Sequence, residues 1–201
     1  MAKAVSAKFE PSTFSLAAST TGTGAGGITG AGLACSTGSP DGCAAEVPNP
    51  PNSVAYTTVA LRATPQAGSV FKSWTTCFAV PGDPSACTLA VTSAKTVAAK
   101  FEPSTFQLTA STTGTGAGTI SGAGLACSTG SPDGCAAAVP NPGNSISYTT
   151  VTLRATPQEG STFKSWTGCM PVLADPASCT VTVSLAKAVT ARFDPIVIAQ
   201  P

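Results

Sequence analysis

Apolar and polar residues alternate in short runs along this chain, and clusters of Gly, Pro, Asp and Ser separate the runs. Phe14-Ser15-Leu16-Ala17-Ala18-Ser19 alternates with period two. Residues 57–63 do the same and set Val59, Leu61 and Ala63 on one face. Runs of this kind, closed by turn residues, predict β-strands joined as antiparallel hairpins. No stretch keeps a helical apolar period, so no helix is predicted. Residues 69–74 predict a strand with Val70, Lys72 and Trp74 on one side and Phe71 on the other. Cys87-Thr88-Leu89-Ala90-Val91-Thr92 and residues 95–101 read as a closing hairpin. The Gly-rich stretch 21–32 around Ile28 predicts a narrow, bulged strand. Residues 47–52 hold Pro48, Pro50 and Pro51 and read as an extended connector rather than a paired strand. Ser39-Pro40-Asp41-Gly42 has turn chemistry: Pro fixes φ and Gly tolerates the left-handed region.

The whole pattern is written twice, at an offset of 92 residues: residues 7–98 differ from 99–190 at only 24 positions. Cys35, Cys43, Cys77 and Cys87 map onto Cys127, Cys135, Cys169 and Cys179, and Trp74 onto Trp166. A repeat of this length predicts two tandem homologous all-β domains, each with about six strands. The expected boundaries are 1–101, with an extra N-terminal strand over 2–9, and 102–201, with an apolar tail over 195–201. Pro103 restricts the residue before it to extended geometry, so a stiff junction is expected.

Composition narrows the function. Charged residues are 9% of the chain and the net charge is +1, so no basic stripe exists for nucleic acid. The longest apolar runs fall far short of the ~20 residues that span a bilayer, so no membrane insertion is expected. A domain of this size buries about 60–65% of its unfolded surface and is marginal without help. Four cysteines per copy supply that help and point to an oxidising compartment, extracellular or at a bacterial cell surface. Three pairings per copy are possible. Local bridges, Cys35–Cys43 and Cys77–Cys87 with Cys127–Cys135 and Cys169–Cys179, are favoured because each closes a short loop of turn residues. By loop entropy each would contribute about 2.5–3 kcal/mol. Zinc needs closer spacings than these. No secretory leader is evident: Met1-Ala2-Lys3 opens inside the repeat pattern, as expected of a piece of a longer secreted protein or of a processed chain.

A longer signature follows residue 58. It runs Val59-Ala60-Leu61-Arg62-Ala63-Thr64-Pro65, then Gly68-Ser69-Val70-Phe71-Lys72-Ser73-Trp74-Thr75-Thr76-Cys77. Cys87-Thr88 and Lys95-Thr96-Val97-Ala98-Ala99-Lys100-Phe101 complete it, and residues 151–193 repeat it. This order resembles the divergent internalin-type B-repeat, which occurs in tandem in bacterial surface and secreted proteins. The resemblance implies a small antiparallel β module, sandwich or β-grasp-like, that serves as a spacer or adhesive stalk. It also marks residues 21–55 and 113–147 as elaborations on a shorter module.

Candidate chemistry is sparse. Histidine is absent, which excludes Ser-His-Asp and Cys-His catalysis and most transition-metal sites. No catalytic residue, metal site or cofactor is expected. Asp41 and Asp83 lie near glycines, but turn chemistry accounts for them without calcium. Phe71, Trp74, Phe163 and Trp166 are read as core aromatics beside a bridge; the competing reading is a platform for surface glycans. The motif Lys-x-Val-x-Ala-x-Phe occurs three times for two repeats. Its surplus copy, with Lys3, Val5 and Phe9, must pair with its own domain or with a neighbouring molecule. The tail residues Ile196, Val197 and Ile198 are β-prone and form a second candidate assembly strand, a cloning boundary being the alternative. The expected function is a non-catalytic structural segment of an extracellular stalk, adhesin or filament, partnered by neighbouring repeats or identical chains. A strand-addition filament subunit and a carbohydrate-binding module are the alternatives.

Overall fold

The computed structural model describes residues 9–51 and 56–197. The chain divides into two compact units, Met1–Pro103 with Gly143–Ile146, and Ser104–Pro142 with Ser147–Pro201. All regular structure among the described residues is β.

The first unit contains β1 (Thr13–Thr21), β2 (Gly26–Gly30), β3 (Leu33–Ser36), β4 (Ala44–Pro48), β5 (Thr57–Pro65), β6 (Ser69–Thr75), β7 (Phe78–Val80), β8 (Asp83–Val91) and β9 (Lys95–Pro103). They form a four-stranded sheet in the order β4-β1-β9-β6 and a five-stranded sheet in the order β3-β2-β5-β8-β7. The inward residues of both sheets meet in one core: Leu16, Val47, Phe71, Val97 and Phe101 from the first, Ile28, Leu33, Leu61, Leu89 and Val91 from the second. This is a sandwich rather than a β-grasp, which needs a helix against its sheet. The second unit repeats it with β10 (Thr105–Thr113), β11 (Gly118–Gly122), β12 (Leu125–Ser128), β13 (Ala136–Pro140), β14 (Thr149–Pro157), β15 (Ser161–Thr167), β16 (Met170–Val172), β17 (Asp175–Val183) and β18 (Lys187–Pro195).

Nine strands per repeat replace the six expected, and several pairings differ from the sequence reading. The segments on either side of residues 92–94 do not form a hairpin. β8 lies in one sheet and β9 in the other, so the three-residue link crosses the sandwich. Alternation cannot separate the two cases, because both bury every second residue. β9 instead pairs parallel with β1, from Leu16 opposite Lys95 to Thr21 opposite Lys100.

The Pro-rich segment also departs from expectation. Val47 and Pro48 end a paired strand, β4, with Val47 opposite Phe14. An edge strand tolerates Pro at its last position because no neighbour needs the missing N–H. The ladder continues one step as Asn49 N–H donates to the Ser12 carbonyl at 2.8 Å. In the Gly-rich stretch, β2 pairs with β3 and β5 without a register shift. The bulge falls in β6, where Phe71 faces Phe101 and Ser73 faces Lys100. Lys72 is the extra residue, so Phe71 and Trp74 point to the same side and not to opposite sides.

Candidate functional site

β1 is the first described strand of the first unit and β9 the last. These two strands are parallel neighbours in the middle of one sheet. Tension on the two ends therefore slides β1 along β9 and loads six residue pairs together. In an antiparallel terminal pair the same tension would open the bonds one after another. The second unit has the same ladder, from Leu108 opposite Lys187 to Thr113 opposite Arg192. Behind it sits an aromatic cluster. The Phe71 and Trp74 ring centroids are 5.4 Å apart, and Phe71 meets Phe101 edge-on at 5.9 Å. Phe163, Trp166 and Phe193 repeat the arrangement at 5.6 and 6.0 Å.

Two cystines fix each sandwich at opposite edges. Cys35 in β3 is bonded to Cys43, one residue before β4, and Cys77, just after β6, is bonded to Cys87 in β8. The first bond joins β3 to the segment that enters β4 of the other sheet, and the second joins the segment between β6 and β7 to β8, the partner strand of β7. Cys127–Cys135 and Cys169–Cys179 do the same in the second unit, and none of the eight cysteines is free.

One ion-pair motif recurs in both units, Arg62 with Asp83 and Arg154 with Asp175. Arg62 Nη1 lies 2.9 Å from Asp83 Oδ2, and Ser85 Oγ donates to the same carboxylate. The Ser85 hydroxyl first, and then the Arg62 hydrogen bond, hold the Asp83 carboxyl below its ordinary value of 3.8. In the second unit Asp175 is lowered chiefly by Ser178, then by Arg154. The serine has moved: Ser85 aligns with Ala177, and Ala86 with Ser178. Two substitutions that look unrelated in the sequence therefore preserve one contact. Sequence reasoning saw Asp83 only as a turn residue; its pairing with Arg62 depends on the β5–β8 register. Lys72 is almost fully buried, and desolvation lowers its pKa against the opposing pull of Glu102. Glu102 is buried and paired to Lys100 at 2.6 Å.

The assembly candidates are placed in part. Phe9 is 91% exposed, while Lys3 and Val5 lie outside the described residues. Ile196 N–H donates to the Gly160 carbonyl at 2.8 Å, which extends the edge of β15 by one step. Val197 is exposed and Ile198 lies outside the described residues. The indoles of Trp74 and Trp166 pack on the cores, and neither Nε1 has solvent or a hydrogen-bond partner among the described groups. No cluster of His, Cys, Asp or Glu suited to a metal occurs among the described residues. No helix there is long and apolar enough to cross a membrane.

The model of the divergent InlB B-repeat domain matches residues 41–105 and 133–197. The chain belongs to this family. Each B-repeat match begins inside the first cystine loop and includes the Pro-rich segment, so that segment is part of the module and not an elaboration. β1 to β3 precede the match, yet they give the B-repeat core Leu16, Ile28 and Leu33 and give β9 its parallel partner. No protein with a curated description matches the chain. Among solved structures it is similar to the Bacillus anthracis TIE protein, with 13% identity and a TM-score of 0.29, over 92% of this chain and 34% of that one. The chain thus spans about a third of that structure. It is also similar to the major pilin of Streptococcus pyogenes, with 10% identity and a TM-score of 0.30, over 92% and 97% of the two chains. The shaft pilin SpaA of Lactobacillus rhamnosus GG gives 11% identity and a TM-score of 0.25, over 93% and 100%.

Proposed function

We propose that this chain is a tension-bearing structural segment of a bacterial extracellular stalk or adhesin. One observation carries the reading: the first and last strands of each unit lie parallel and adjacent, so a pull through the chain is resisted by a whole ladder in shear. The two cystines per unit fit this role, because each closes a covalent loop that tension cannot extend if the ladder yields. They also suit an oxidising compartment outside the cell. Membership in a tandem surface-repeat family agrees with the reading, and no residue is assigned a catalytic part.

Single-molecule stretching tests it. Pulled by its two ends, the chain gives two unfolding events at a force well above that needed when a unit is pulled through the β7–β8 turn at Gly82 and the end of β9. Reduction lengthens each extension by roughly 60 Å, since loops spanning 8 and 10 residues are released at about 3.3–3.6 Å per residue. Equal forces in the two pulling directions would remove the proposal.

A further inference from the structure

The chain has three arginines and five aspartates. Three of the aspartates stand directly before proline, and each is paired with one of the arginines: Asp83 with Arg62, Asp175 with Arg154 and Asp194 with Arg192. Asp41 and Asp133 precede glycine instead. The two copies show that the match goes beyond charge. In the first copy Glu102 precedes Pro103 and pairs with Lys100. At the same place in the second copy the acid is Asp194, before Pro195, and the cation is Arg192. Arginine accompanies the aspartate and lysine the glutamate.

An Asp–Pro bond is a peptide bond that its own side chain can break. The protonated carboxyl attacks the backbone carbonyl carbon of the same residue and closes a five-membered anhydride. The C–N bond breaks, and the prolyl nitrogen leaves with the carboxyl proton. Water then opens the anhydride, so one water is consumed for each peptide bond. Glutamate would need a six-membered ring, which closes less readily. Attack requires a carboxyl that is protonated and free to swing over its own backbone. Arg62 on Oδ2 and Ser85 on Oδ1 oppose both conditions at Asp83. At Asp175, Arg154 and Ser178 both hold Oδ2. A planar guanidinium fixes the direction of a carboxylate better than the point charge of an ammonium. On the far side of β8 and β17, the uncharged strands β7 and β16 set Val80 opposite Asp83 and Val172 opposite Asp175. The charge acting on each carboxyl is therefore its arginine's.

We propose that Asp83–Pro84 and Asp175–Pro176 are built-in self-cleavage sites of this chain, and that Arg62 and Arg154 hold them shut. Both bonds lie inside a cystine loop, Cys77–Cys87 and Cys169–Cys179. A clip there leaves the chain in one piece until the cystine is reduced. Both carboxyls are held below their ordinary value of 3.8, so the clamp is complete above that value and is lost as acid protonates them below it.

The test uses the full-length chain at the lowest pH where its tryptophan emission stays native, with and without urea. Fragments are read by mass before and after reduction. Folded Arg62→Gln with Arg154→Gln is expected to clip about two- to fivefold faster than folded wild type, the factor that an exposed ion pair can withhold. Each clip adds the mass of one water before reduction and releases a fragment beginning at Pro84 or Pro176 after it. Arg62→Lys, which keeps the charge, falls between, and Asp83→Glu loses the Pro84 fragment. In urea the arginine variants and wild type clip at one common rate, faster than the folded wild type. Equal rates for folded wild type and the Gln variant overturn the proposal. So does a folded wild type that clips as fast as the same chain in urea, a comparison that needs no variant to fold.

Discussion

A Cβ placed on Gly26 would lie 2.4 Å from Cε1 of the Phe101 ring. The backbone of β2 thus runs against the face of the largest fully buried side chain in its unit. Gly118 and Phe193 repeat the relationship at the same distance. Even a methyl group at either glycine must displace a ring held on all sides. Gly26→Ala is expected to cost about 2–3 kcal/mol by overpacking, and Phe101→Ala about 3–5 kcal/mol through the cavity it leaves. Denaturant titration of each variant checks the order.

The cystines make a separate prediction. Replacing Cys35 and Cys43 by Ala, or Cys77 and Cys87, is expected to lower unit stability by about 2.5–3 kcal/mol each. The effects are expected to add, because the bridges sit at opposite edges of the sandwich. Thermal unfolding of the two double variants and the quadruple variant measures this. Intact mass without reductant is expected about 8 Da below the reduced mass, from four bonds.

Acid should weaken both units through Asp83 and Asp175. Each carboxyl is held below its ordinary value of 3.8 when folded. Their contribution is therefore complete above that value and is lost as pH falls through it towards the lower folded value. The Tm difference between wild type and Asp83→Asn, with Asp175→Asn, is expected to shrink to nothing across that window. Both side chains face water, so the effect at neutral pH is expected to be small. A constant difference down to acid pH would contradict the assignment.

The tryptophans should report a core environment. Blue-shifted emission that added oligosaccharides leave unchanged is expected of both, since their rings pack on Phe71 and Phe163. Trp166→Ala is expected to cost about 3–5 kcal/mol. Quenching by a glycan would instead support the carbohydrate-binding alternative.

Much of this protein follows from local sequence. Alternation in residues 57–63 determines β5 and its inward face, because side-chain period two is a property of any strand. The 92-residue offset determines two like units, and short loops between cysteines of turn-rich sequence favour local bridges. Partner choice was not local. Whether β9 folds back on β8 or crosses to β1 depends on which inward face Val97, Ala99 and Phe101 can share, and a strand's own pattern is identical in both cases. The bulge at Lys72 belongs to the same class: only the fixed register of Phe71 on Phe101 turns Trp74 inward. The Ser85 and Ser178 exchange makes sense only once Asp83 and Asp175 are placed beside them. Sequence set the strands, since each depends on neighbours a few residues away; packing of two sheets on one core decided their order, and with it the parallel pairing of β1 with β9 and of β10 with β18.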